Sequence, residues 1–101
     1  MPYIRTTVSK SINPGQRDIL KSKLGNAIAL IPGKSEAWLM LAFEDNMSMY
    51  FKGDNSADYA YVEVSLFGGA SDAAYDRLTA AISERISETL GIDSSNINIK
   101  Y

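Results

Sequence analysis

The chain has 101 residues, 46% of them hydrophobic and 22% charged, and its 10 basic against 12 acidic side chains leave a net charge of −2. That length builds one hydrophobic core and not two, so a single domain over residues 1–101 is expected, and the scattered Lys and Arg argue against nucleic acid as a partner. Cysteine and histidine are both absent, which excludes disulfides, a thiol nucleophile, histidine acid–base chemistry and most zinc sites.

Met1-Pro2-Tyr3-Ile4-Arg5 opens the chain. Residues 3–8 (Tyr-Ile-Arg-Thr-Thr-Val) alternate and carry β-branched side chains, the pattern of a strand. Removal of Met1 would leave Pro2 as a free secondary amine at the head of that strand. An α-amino group ordinarily titrates at about 7.7–8.0. Burial disfavours its charged form and lowers that value, and a neutral amine can serve as a general base. A Met-Pro start is also common and by itself carries no chemistry. If Met1 stays, the Pro2 nitrogen is a tertiary amide and cannot act as a base.

Asn13-Pro14-Gly15-Gln16 has the form of a helix start, with Asn13 as N-cap, Pro14 in the first helical position and Gln16 closing a capping box. Ile19, Leu20, Leu24, Ala27, Ile28 and Ile31 follow at helical spacing as one apolar face, and Pro32-Gly33 stops the helix. Residues 37–43 are almost continuously apolar, the pattern of a strand buried on both faces. Glu44-Asp45-Asn46 breaks it, residues 47–51 read as a short edge strand, and Gly53-Asp54-Asn55-Ser56 as a loop. Over residues 59–67, Ala60, Val62, Val64 and Leu66 share one face, and Tyr59, Tyr61, Glu63 and Ser65 share the other. Gly68-Gly69 leads into a second helix capped by Ser71, with Ala74, Leu78, Ile82 and Ile86 as its stripe and Gly91 as its stop. Ile97 and Ile99 mark a last strand.

Residues 2–44 and 59–101 are thus two strand–helix–strand halves. They predict an α+β fold of the α/β kind: two βαβ units in a four-stranded mixed sheet, both helices on one face, with short extra edge strands. The uncovered face is expected to carry bulky apolar side chains that a symmetric oligomer would bury. No apolar run reaches membrane-spanning length, and Arg5, Thr6 and Thr7 interrupt any signal-peptide core. A cytoplasmic location without membrane insertion is expected, and secretion would need a route without a signal peptide.

The chain resembles the tautomerase superfamily, and within it the macrophage migration inhibitory factor (MIF) group, over nearly its whole length. Met1-Pro2 opening a strand, Gly33-Lys34 after the first helix and Met49-Tyr50-Phe51-Lys52-Gly53 carry the resemblance. Ser65-Leu66-Phe67-Gly68-Gly69 before the second helix and the closing Asn96-Ile97-Asn98-Ile99-Lys100-Tyr101 complete it. The resemblance implies a homotrimer with its active site at the subunit interface, removal of Met1, and Pro2 as catalytic base in cofactor-independent keto–enol tautomerisation. The implied substrates are small aromatic α-keto acids of the phenylpyruvate or dopachrome type.

By the same resemblance, Lys34 matches the lysine that pairs with the substrate's carboxylate or carbonyl oxygen; the other reading is a solvated turn lysine. Leu66 sits where a backbone N–H meets the substrate carboxylate. Tyr3, Trp38, Met40 and Phe51 are candidate pocket or interface walls, a pattern that core packing explains as well. Asn98 and Lys100 stand where the group places a tyrosine and an asparagine that reach a neighbouring subunit's site. An aromatic wall and a hydroxyl donor are thereby lost, and Lys100 adds a second cation suited to a carboxylate. A shift of one or two residues in the alignment would bring Tyr101 into that role. The chain ends at Tyr101 without the longer C-terminal tail that contributes to intersubunit contacts in the animal cytokines.

The alternative function is a non-enzymatic, cytokine-like trimer that binds a cell-surface receptor. The oxidoreductase activity proposed for the family has no cysteine to perform it. Dehalogenating or decarboxylating relatives pair Pro2 with pocket arginines, whereas Arg5, Arg17, Arg77 and Arg85 fall on the first strand and the helices. Glu44-Asp45 and Glu84/Glu88 read as a strand-end loop and a solvated helix face, with no acid–base dyad.

Overall fold

The computed structural model describes residues 2–101; Met1, and with it the expected processing of the N-terminus, lies outside the described residues. The elements run β1 (Tyr3–Val8), α1 (Pro14–Ala27), β2 (Met40–Glu44), β3 (Ala60–Ser65), α2 (Asp72–Leu90) and β4 (Ile97–Lys100), with 3₁₀ turns at Ile28–Leu30, Glu36–Trp38 and Ser94–Asn96. The sheet order is β2-β1-β3-β4. β1 pairs in parallel with β2, and β3 with β4, while β1 and β3 join the two halves antiparallel. This is the predicted pair of βαβ units.

The helix ends follow the local chemistry. Asn13 accepts from the Gln16 backbone at 2.8 Å while the Gln16 side chain accepts from the Asn13 backbone at 3.1 Å, a reciprocal capping box. Ser71 caps α2 through the Ala74 backbone N–H at 3.2 Å, and Gly91 ends it in the left-handed region at φ 71°. Ala74, Leu78, Ile82, Ile86 and Leu90 line the buried side of α2. They pack with Leu20, Leu24 and Ile28 of the first half and with Ile4, Val8, Ala60, Val62 and Val64 of the sheet.

Four expectations change. Ile19 is 48% exposed, so the buried stripe of α1 is narrower than its apolar periodicity suggested. Residues 36–38 form a 3₁₀ turn, and the strand starts only at Met40. It lies at the sheet edge with Met40 exposed and the rest half-buried, rather than buried on both faces. Residues 47–51 form no strand. Phe51 and Asp54 instead close a two-residue turn through reciprocal backbone bonds of 2.8 and 3.0 Å, with Lys52 and Gly53 at positive φ. A single bridge leaves the segment before it without a ladder inside the protomer.

The face of the sheet away from the helices is also more polar than expected. The register sets Arg5 beside Ala42 on β2 and Glu63 on β3, and Glu63 beside Lys100 on β4. Arg5 pairs with Glu44 and lies 3.9 Å from Glu63. The hydrogen bond from Arg5 is the main cause that holds the Glu44 carboxyl below the usual carboxylate range. Large apolar side chains are exposed mainly at the ends and edge of the sheet, at Trp38, Met40, Tyr50 and Phe67.

On the helix side, Thr6 is fully buried and its hydroxyl has no hydrogen-bond partner among the described residues. An orphaned buried hydroxyl destabilises, and an apolar group of the same shape relieves it. Thr6→Val is therefore expected to stabilise the protein by about 1 kcal/mol. Scanning calorimetry should read this as a midpoint about 4–8 °C higher; a lower midpoint would mean the hydroxyl holds an internal water.

Candidate active site

Pro2 is buried at the head of β1, where its carbonyl accepts from the Met40 backbone at 2.9 Å. That bond brings the start of β2 alongside. Lys34 arrives through the turn after α1: its backbone N–H bonds to the Ile31 carbonyl at 3.1 Å, with Pro32 and Gly33 between. Gly33 has φ 81°, the left-handed conformation that the third position of such a turn requires and that glycine adopts freely. The Lys34 ammonium then donates to the Phe67 carbonyl at 2.8 Å, tying this turn to the chain just past β3. Ser65 pairs with Tyr3, so Leu66 and Phe67 continue past the same end of β1 as Pro2.

Pro2, Gly33, Lys34, Ser35 and Trp38 surround a cavity of about 220 Å³. It is an unfinished enclosure, because its wall residue Trp38 is 71% exposed. A buried backbone head, a fixed ammonium and an aromatic wall meet there. Such a cluster can bind an anion or carbonyl oxygen beside whatever group the Pro2 nitrogen presents. Among the described residues no group of three or more His, Cys, Asp or Glu side chains is arranged to hold a metal ion.

The other candidates lie elsewhere. Phe51 and Asn98 line a second cavity of about 310 Å³ together with Met49, Tyr50, Tyr59 and Tyr61. There Tyr59 is buried, stacks edge-on against Phe51 with centroids 5.9 Å apart, and donates to Asp54 at 3.0 Å. Ser56 and Tyr59 together hold the Asp54 carboxyl below its ordinary value, while burial pushes the Tyr59 phenol up. Tyr3 and Lys100 sit on the open sheet face. Tyr101 packs on α2, its ring 4.8 Å from that of Tyr75, its hydroxyl 2.6 Å from Thr79 and donating to the Tyr75 carbonyl at 3.2 Å. It borders neither cavity. Burial is the main cause that pushes its phenol up.

Arg5 is occupied by Glu44, Arg17 reaches the Ile12 carbonyl at 3.4 Å, and Arg85 the Lys23 carbonyl at 3.2 Å. None of the arginines borders the Pro2 cavity. A larger groove of about 530 Å³ lies between α1 and β2, with Arg17, Asp18, Lys21 and Glu36 around Leu41 and Phe43. It shares no residue with the Pro2 cavity. Sequence reading did not single out the Phe67 carbonyl as the partner of Lys34, nor Tyr61 as the neighbour of Asn98. Both follow from strand register, which no local motif encodes.

No family model matches the chain, and no curated protein matches it. Solved structures do. The MIF2 protein of Leishmania major is 31% identical, superposes with a TM-score of 0.91, and is matched over 100% of this chain and 86% of its own. This chain belongs to the MIF group. The macrophage migration inhibitory factor of Toxoplasma gondii (22% identity, TM-score 0.87, 97% of this chain and 85% of that one) shares the fold of this MIF-group protein. So does a fused wild-type 4-OT symmetric trimer, at 19% identity and TM-score 0.85 over 97% of this chain and 81% of that one. No helix among the described residues of the MIF-group chain is long and apolar enough to cross a membrane.

Proposed function

We propose that this MIF-group protein is a homotrimeric, cofactor-independent keto–enol tautomerase for small aromatic α-keto acids of the phenylpyruvate or dopachrome type, with the Pro2 nitrogen as base. The observation that carries the reading is the cavity that buried Pro2 shares with Lys34 and Trp38. Family membership and the trimeric fold relative support it further.

In this reaction the neutral Pro2 amine takes a proton from the carbon next to the carbonyl. The C–H electron pair becomes the enol double bond and the carbonyl pair moves to oxygen. The same proton, carried on nitrogen, returns to the other atom of the enol system, so no outside reactant is consumed. The Lys34 ammonium binds the carboxylate or carbonyl oxygen and favours the neutral form of a nearby amine, because like charges disfavour each other. The Leu66 backbone N–H supplies a second contact to the carboxylate, and Trp38 a wall for the ring. Asn98 and Lys100 approach from a neighbouring subunit.

The first test is the intact mass of natively expressed protein together with a phenylpyruvate enol–keto assay on the same sample. Loss of Met1 with turnover is expected. A Met1-free trimer without turnover would overturn the reading for this substrate class and favour receptor binding as the function. In the active protein, Lys34→Ala is expected to raise KM for phenylpyruvate about tenfold or more, since a hydrogen bond to a charged group contributes about 1.5–3 kcal/mol. An unchanged KM would return Lys34 to the role of a turn residue tied to Phe67.

A further inference from the structure

We infer that the Phe67–Gly68 peptide is a switch for the anion site at Lys34. In the free protein its carbonyl occupies the ammonium; a bound carboxylate turns the peptide over, so that the Gly68 N–H faces the ligand instead. The inference rests on the proposed aryl-acid site and adds a binding group to it. The Lys34 ammonium borders the Pro2 cavity and donates to the Phe67 carbonyl at 2.8 Å. Among the described residues no other hydrogen bond holds that peptide unit. Gly68 has φ 88° and Gly69 φ 71°, and a Cβ built on Gly68 would meet nothing within 4 Å.

The charge at Lys34 selects the orientation. With no ligand, an ammonium prefers the negative end of the peptide dipole, so the carbonyl points inward. Once a carboxylate sits on Lys34, that same oxygen opposes it and competes for the ammonium, whereas an N–H would add a charge-assisted hydrogen bond. Turning one peptide by half a rotation changes only the ψ before it and the φ after it. Here Gly68 would pass from φ 88° to about −90°, and glycine occupies both signs about equally readily. A negative φ at Gly68 ahead of the positive φ of Gly69 is the alternation in which successive backbone N–H groups converge on an anion. The rotation disturbs little else: Ser65 is the last residue of β3, and the Phe67 side chain is 81% exposed. The contact seen between Lys34 and Phe67 is therefore autoinhibitory, and ligand affinity includes the population of the turned state.

Gly68→Ala tests this, because a side chain other than glycine's disfavours positive φ about 5- to 30-fold and so shifts the balance toward the turned peptide. The added methyl has open space around it, so it acts through backbone preference alone. Trp38 is the only tryptophan in the chain and borders the Pro2 cavity, so its emission reports ligand there without turnover. The probe is 3-phenylpropanoate, an unreactive aryl acid. Gly68→Ala should bind it about fivefold more tightly than wild type, a gain that mere strain at the position would not produce. Gly53→Ala is the control: Gly53 also has positive φ and open surroundings but lies outside the cavity, and its loss should leave affinity unchanged. Affinity in folded Gly68→Ala equal to or weaker than wild type would overturn the switch. If Gly68→Ala fails to fold, a crystal structure of the wild-type complex with 3-phenylpropanoate decides: the Gly68 N–H on the carboxylate is expected, and the Phe67 carbonyl still on Lys34 overturns the proposal. Wild-type emission unmoved by the probe would instead remove the aryl-acid site, and the proposed function with it.

Discussion

Pro2→Gly in Met1-free protein is expected to lower kcat for phenylpyruvate tautomerisation about 10²–10⁴-fold, the range a positioned general base contributes. Glycine keeps an amino terminus but exchanges a rigid secondary amine for a flexible primary one, so the base loses its placement as well as its character. The backbone is spared. The bond from the Met40 N–H to the Pro2 carbonyl, which aligns β1 and β2, involves no side chain of residue 2. Circular dichroism and assembly should therefore match the wild type, and steady-state kinetics on matched preparations reads the effect. Turnover within a few-fold of wild type would remove Pro2 from the chemistry.

Ile82→Ala is expected to cost about 2–5 kcal/mol, the usual range for truncating a buried aliphatic side chain. Ile82 is fully buried in the middle of the α2 stripe, so the void opens where helix and sheet meet. A small domain has only about 5–15 kcal/mol in total, and the melting midpoint should fall by at least about 10 °C at fixed protomer concentration. Ile19→Ala is the control. Ile19 is apolar, helical and at matching periodicity on α1, but largely exposed, and its loss should cost less than about 0.5 kcal/mol. Equal midpoints for the two variants would contradict the packing described above.

That contrast shows where local reading works. The capping box at Asn13 and Gln16, the Ser71 cap and the Gly91 stop were all legible because a cap involves groups three or four residues apart. The α2 stripe and the alternation in β3 were legible for the same reason, since one period fixes which face is buried. Ile19 was not, because helical periodicity gives a direction but not the width of the surface packed against it. Residues 37–43 read as a strand buried on both faces because an apolar run looks the same whether or not other elements cover it; at the sheet edge it is only half-buried. Residues 47–51 were misread because their composition suits a strand, yet the bridge between Phe51 and Asp54 and the positive φ of Lys52 turn the chain instead.

For the candidate site the division is similar. Sequence alone marked Pro2 at a strand head and Lys34 behind a Pro-Gly turn, since both depend on local chain chemistry and on a family pattern in short segments. Only the tertiary structure joined them around one cavity with Trp38, gave Lys34 the Phe67 carbonyl as a partner, and set Tyr61 beside Asn98 about 17 Å along the sheet from Pro2. It also moved Tyr101 onto α2. Those relations depend on strand order and register, which arise from contacts between residues far apart in the chain. The sequence by itself determined what each segment is; pairing, burial and edge position, being non-local, decided what each segment faces.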